Sequence, residues 1–152
     1  MKKEIDRRSF IKKAALGLAG LEVGYLIYDS LQKNEEESTE KMFSLGHISA
    51  FENNTMYPFT SGKFFLSVLE DGGMLAISIK CTHLGCMVRK SKNGFECPCH
   101  ASAFDKYGEV LSPPATRALD LFPIKIEKGE IFVDTNKPIR RDKFDKKQLT
   151  YA

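Results

Sequence analysis

The sequence predicts an all-β domain, an antiparallel sandwich or small barrel, carried behind one N-terminal helix. Three observations lead there. Short runs rich in strand-forming residues flank Gly-containing turns between residues 64 and 133. One apolar stretch, and only near the N-terminus, has helical length. All four cysteines and two of the three histidines fall within the twenty residues 81–100, so a single cysteine- and histidine-bearing centre is expected inside the β-rich part. The 152 residues suit one ordinary domain. Apolar residues make up 42% and charged residues 28%, which excludes a wholly disordered chain, a collagen and a polytopic membrane protein.

The elements follow in order. Residues 1–13, MKKEIDRRSFIKK, carry six bases and two acids. The apolar run Ala14–Tyr28 follows, interrupted only by Glu22. At 15 residues it falls short of the ~20 that a spanning helix wants. No small-x-small cleavage site follows it, so residues 1–28 read as an uncleaved signal and membrane anchor, with the basic end in the cytoplasm. A carboxyl such as Glu22 near the bilayer centre costs about 2.5 kcal/mol or more unless it is neutral or paired with a partner helix. Residues 29–42 hold five acids against two bases and read as a polar tether, with a short helix possible. The β-domain is placed at 43–135. Within it, Phe64–Leu69 and Met74–Ile79 about Asp71-Gly72-Gly73 predict one hairpin. Leu119–Ile126 and Ile131–Val133 about Lys128-Gly129 predict a second, with Pro123 marking an edge or bulge. Residues 136–152 form a basic tail, expected to be a solvated terminus. The net charge of +3 is too mild to argue for nucleic acid.

Two boxes carry the chemistry. The first is Cys81-Thr82-His83-Leu84-Gly85-Cys86; the second is Cys97-Pro98-Cys99-His100-Ala101-Ser102-Ala103-Phe104. Each offers two cysteines and one histidine. Four ligands complete a metal site, so six candidates leave two, and a pair of spare cysteines can close a disulfide. A structural zinc site or a purely disulfide-bonded exported scaffold are the alternatives. The C-x-C-H spacing is unusual for zinc, and a disulfide scaffold leaves both histidines without a role. His47 lies outside both boxes and reads as an ordinary surface or packing histidine.

These residues resemble known families at two places. Arg7-Arg8 before Ser9, Phe10 and Ile11 is similar to a twin-arginine export signal. The two boxes resemble those of Rieske iron–sulfur proteins, of the high-potential kind found in cytochrome bc-type quinol-oxidising complexes. The resemblance implies one 2Fe–2S cluster on a Rieske-type sandwich with a cluster-binding subdomain. It assigns Cys81 and Cys97 to one iron, His83 and His100 to the other, and Cys86 with Cys99 to a disulfide. Ser102 matches a serine that donates to a bridging sulfide. Phe104 stands where many members carry a hydrogen-bonding tyrosine, which implies a lower potential and suits a quinol such as menaquinol. Ala101 replaces a common glycine, expected to be a mild change. Leu111-Ser112-Pro113-Pro114-Ala115 resembles the family's proline loop, without its usual leading glycine.

The function implied is electron transfer from quinol, with His83 and His100 meeting the quinol and taking its proton. The partners implied are a cytochrome b-type membrane subunit and a c-type cytochrome. The head is expected on the outer face of a prokaryotic cytoplasmic membrane, moving on its tether. A small Rieske subunit of a periplasmic molybdenum oxidase, such as arsenite oxidase, is the competing reading. Rieske ferredoxins and oxygenases lack the disulfide cysteines and are less similar.

Overall fold

A computed structural model describes residues 7–36 and 42–152. They form two units, a helix and a β-domain, considered separately. The helix α1 spans Arg7–Glu36. Ala and Leu dominate its middle, and Gln, Lys and Glu, which also favour helix, carry it past residue 28. The boundary expected between anchor and tether therefore lies inside a helix; residues 1–6 and 37–41 fall outside the described residues. Leu16, Leu21 and Tyr25 are exposed on α1. Thirty residues extend about 45 Å, but the 15 apolar ones extend only about 22 Å. No helix among the described residues is long and apolar enough to cross a membrane.

The β-domain contains β1 (Met42–His47), β2 (Thr55–Phe59), β3 (Phe64–Val68), β4 (Met74–Ser78), β5 (Arg89–Lys90), β6 (Gly94–Glu96), β7 (Ala103–Asp105), β8 (Val110–Ser112), β9 (Leu121–Phe122), β10 (Ile124–Glu127) and β11 (Glu130–Asp134). They make three antiparallel sheets, ordered β1-β11-β10, β2-β3-β4-β9 and β5-β6-β7-β8. Both expected hairpins are present, as β3–β4 and β10–β11. The second turns on Lys128 and Gly129, both at positive φ (51° and 81°). That is the two-residue turn whose twist matches antiparallel strands.

The continuous apolar runs in β3 and β4 have a structural cause: every residue of both strands is buried. Phe64, Leu66 and Val68 face the β1-β11-β10 sheet, where Ile131 and Val133 meet them. Phe65, Leu75 and Ile77 face the opposite way, onto Phe95, Phe104, Cys81 and Cys97. A strand covered on both faces needs no polar alternation. The β2-β3-β4-β9 sheet thus forms the floor beneath both boxes. Pro123 does mark an edge: β9 and β10, on either side of it, are edge strands of two different sheets. It separates β9, paired with β4, from β10, paired with β11, so the chain changes sheet at the residue that cannot donate to a ladder.

The C-terminal segment differs most from expectation. It is a strap laid across the domain rather than a solvated tail. Ile139 pairs with Leu121, and Thr150 pairs with Met74. Arg141 is only 6% exposed. It donates to the carbonyls of Leu119 and Tyr107 and to Gln148 Oε1. Phe144 stacks on Tyr107 with ring centroids 4.5 Å apart, and its N–H donates to Glu109. Desolvation pulls the Arg141 guanidinium down to about 10, against the opposing pull of Glu109 and Asp105, so it stays charged at neutral pH.

Candidate metal centre

The two boxes fold into the same closed loop. Box 1 leaves the β4 side; box 2 joins β6 to β7. In each, the first cysteine's N–H donates to a carbonyl five residues on: Cys81 to Cys86, and Cys97 to Ser102, both at 2.8 Å. In each, the residue four along donates back to the cysteine carbonyl: Gly85 to Cys81, and Ala101 to Cys97. That fifth position lies at positive φ in both loops, 80° for Gly85 and 58° for Ala101. In each, two successive N–H groups turn in on the first cysteine's sulfur. His83 and Leu84 serve Cys81; Cys99 and His100 serve Cys97. Such nests of N–H groups favour a negatively charged sulfur.

Ala101 is therefore less mild a change than expected. A left-handed conformation costs a non-glycine residue about 1–2 kcal/mol. The residue is exposed. Ala101→Gly is expected to stabilise the protein by about 1 kcal/mol, read as a raised urea midpoint. A lowered midpoint would show that methyl contacts outweigh the strain.

Cys81 and Cys97 are free and buried, and their side chains contact each other. Burial holds the Cys81 thiol above its ordinary range. Burial pushes Cys97 up as well, but hydrogen bonds from the Cys99 N–H, the Cys81 thiol and the His100 N–H outweigh it and bring Cys97 below. Cys86 and Cys99 form a disulfide joining the two loops. The rings of His83 and His100 meet edge to face, centroids 5.0 Å apart. His83 Nδ1 is buried with no hydrogen-bond partner, the one such side-chain atom among the described residues. A buried nitrogen without a partner costs about 1–3 kcal/mol. Two paired thiols in N–H nests, two facing imidazoles and one orphaned ring nitrogen fit a centre with two sulfur and two nitrogen ligands.

The surroundings lock this arrangement. Ser102 is fully buried, and its Oγ accepts the Ala115 N–H at 3.0 Å, tying box 2 to the proline loop. The hydroxyl keeps its own proton to donate. Two further ties were not anticipated from the sequence. Ser112, at the start of the proline loop, donates its hydroxyl to the Ala101 carbonyl and accepts the Ala103 N–H. Thr82 Oγ1 donates to the Arg117 carbonyl at 2.7 Å. The proline loop, with a cis Pro113–Pro114 bond, is thus fastened to box 2, and the chain just after it to box 1. Only ordinary turn residues mark these ties, with partners as far as 35 positions away. Phe104 is buried in the apolar cluster that holds both free cysteines. His47 is exposed and caps a 3-10 turn by accepting the Ser49 N–H.

Comparison with known proteins agrees with the geometry. The chain is 28% identical over 138 residues to the cytochrome b6-f complex iron–sulfur subunit of Chlorobaculum tepidum, covering 86% of this chain and 76% of that one. A Synechococcus protein of the same name is 41% identical over 63 residues, covering 40% of this chain and 35% of the relative. A solved chain of a hyperthermophilic respiratory Complex III superposes with a TM-score of 0.51 at 26% identity, covering 80% of this chain and 97% of that one. Residues 41–123 match the Rieske [2Fe-2S] domain, and with more than half of its length so matched the chain belongs to the Rieske iron–sulfur family.

Proposed function

We propose that this chain is the electron-transfer subunit of a quinol-oxidising cytochrome bc-type complex, taking an electron and a proton from quinol and passing the electron to a cytochrome haem. The observation that carries it is the pair of matched loops, with two nested cysteines and two facing imidazoles joined by a disulfide. Cys81 and Cys97 would hold one iron of the 2Fe–2S cluster, and His83 and His100 the other. When bound, the cluster supplies a one-electron acceptor whose potential the histidine ligands raise, to roughly −150 to +300 mV for the class.

The chain's own residues do the rest. Ligation through the buried Nδ1 of His83 leaves Nε2 as the ring's remaining nitrogen. Once deprotonated, which a nearby metal charge favours, that atom accepts a hydrogen bond from quinol, and then its proton. His100 is the more exposed of the two rings. Ser102 donates toward the cluster and steadies the loops against the proline loop. Leu84, beside His83, and Leu111, the first residue of the proline loop, expose apolar side chains that a membrane subunit of the cytochrome b type would cover. A c-type cytochrome is the electron acceptor.

The N-terminal helix attaches the subunit to the cytoplasmic membrane, with Arg7 and Arg8 at the cytoplasmic side and the β-domain on the outer face. Its exposed apolar side chains support this, as does the likeness of its basic end to a twin-arginine signal. Its apolar stretch of about 22 Å is shorter than a ~30 Å hydrocarbon core, and it carries Glu22. A helix of the partner complex is therefore part of the reading, shielding that carboxyl.

A redox titration against pH tests the proposal. If proton and electron leave together, the midpoint potential falls with rising pH, approaching about 59 mV per unit. A potential that stays flat into the alkaline range contradicts it. In the same titration Phe104→Tyr is expected to raise the midpoint by roughly 40–60 mV, because a hydroxyl donated to a ligand sulfur favours the more negative reduced state. An unchanged or lowered midpoint would mean that position 104 does not reach the ligands.

A further inference from the structure

The Cys86, Cys97 and Cys99 sulfurs all lie within 4.8 Å of one another. As a metal trio they are unusable, because Cys86 and Cys99 are already joined. As a reactive trio they are complete: a free thiol stands beside a disulfide. Side-chain rotation at Cys97 is enough to close such a gap, and the attack is intramolecular, so the burial of Cys97 does not prevent it.

We propose that in chains lacking the cluster Cys97 exchanges with the Cys86–Cys99 disulfide, converting it to Cys86–Cys97. The inference rests on the reading of Cys97 as a cluster ligand, since ligation would hold its sulfur away from this reaction. The step is redox-neutral. Cys97 gives up its proton and forms a bond to Cys86 Sγ. The Cys86–Cys99 bond breaks, and Cys99 leaves with the electron pair and takes a proton. No oxidant is needed. Attack falls on Cys86 because the product still links box 1 to box 2, two residues from the original link. Attack on Cys99 would close a small ring across Pro98 alone and free the two loops. Cys99 is also the more exposed leaving group.

Exchange has a consequence for reloading. It removes Cys97 from the ligand set and offers Cys99 instead, whose own N–H serves the Cys97 sulfur. Loss of the cluster therefore becomes self-locking. The disulfide that braces the loaded centre is the same bond that disables the empty one, and a thiol reductant resets it.

The test uses the full-length, cluster-loaded protein. Iron is stripped anaerobically by an acid pulse with a chelator, without reductant, and samples returned to neutral pH are alkylated over time. Non-reducing digestion and mass spectrometry then map the pairing. The expected result is Cys86–Cys97 linked and Cys99 alkylated within about an hour, since reshuffling runs from seconds to hours. Cys97→Ser, which lacks a ligand and is taken through the same acid and neutralisation steps without a cluster, should keep Cys86–Cys99 intact. Wild-type chains that retain Cys86–Cys99, with Cys81 and Cys97 alkylated throughout, would overturn the exchange. Alkylation of Cys97 before iron removal would overturn its assignment as a ligand, while the pairing found afterwards still decides the exchange.

Discussion

Replacing His83 with alanine is expected to abolish the iron–sulfur centre while leaving the metal-free domain about as stable as before. The two halves come from the same atom. Nδ1 of His83 is buried without a partner, which costs the metal-free fold about 1–3 kcal/mol. Alanine removes that cost. It also removes the edge-to-face contact with His100, and aromatic contacts of this kind contribute about 0.5–1.5 kcal/mol. The terms nearly cancel, so urea midpoints of the metal-free variant and metal-free wild type should agree closely. Iron content and visible absorbance of the purified variant should fall to background. A variant that kept its iron would show that this nitrogen is not a ligand. One that lost both iron and fold would show that the ring serves packing first.

Arg141→Ala is expected to cost about 3 kcal/mol of stability. The guanidinium serves three acceptors on three segments: the Leu119 carbonyl at 2.7 Å, the Tyr107 carbonyl and Gln148 Oε1 at 2.8 Å. Truncation leaves the two carbonyls without their donor, at about 1–3 kcal/mol each where water does not replace it. It also removes the cation facing Glu109 and Asp105. Alanine relieves the desolvation of the guanidinium, which offsets part of the loss. Arg141→Lys should recover little, because one ammonium cannot reach three acceptors in a fixed fork. Urea unfolding of the loaded protein checks both variants. A loss under about 1 kcal/mol for alanine would mean that the strap is held by its strand-like pairings at Ile139 and Thr150. The strap grips Leu119 and Tyr107, on either side of the proline loop, so the variant also tests whether that loop depends on it.

The residues that could be read from sequence alone are those whose partners are close along the chain. Both hairpins announce themselves by apolar runs about a glycine turn. The boxes announce themselves because cysteines and histidines rarely crowd so closely. Arg141 could not be read, because a charge count says nothing about carbonyls 22 and 34 positions away. The same holds for Ser112 and Thr82, which look like any turn residue until the loops are laid side by side. Ala101 was legible as a substitution but not as a cost, since only the backbone angle reveals the strain. Pro123 is legible as an edge residue, but local pattern cannot show that the chain passes from one sheet to another there.

Two histidines and two cysteines of the matched loops are expected to bind one 2Fe–2S cluster. Electron paramagnetic resonance of the full-length protein, reduced with dithionite, tests it most directly. Histidine ligation predicts a rhombic signal whose average g lies clearly below that of an all-cysteine 2Fe–2S centre. A signal at the all-cysteine average, or a colourless and silent protein after anaerobic reconstitution, would contradict it.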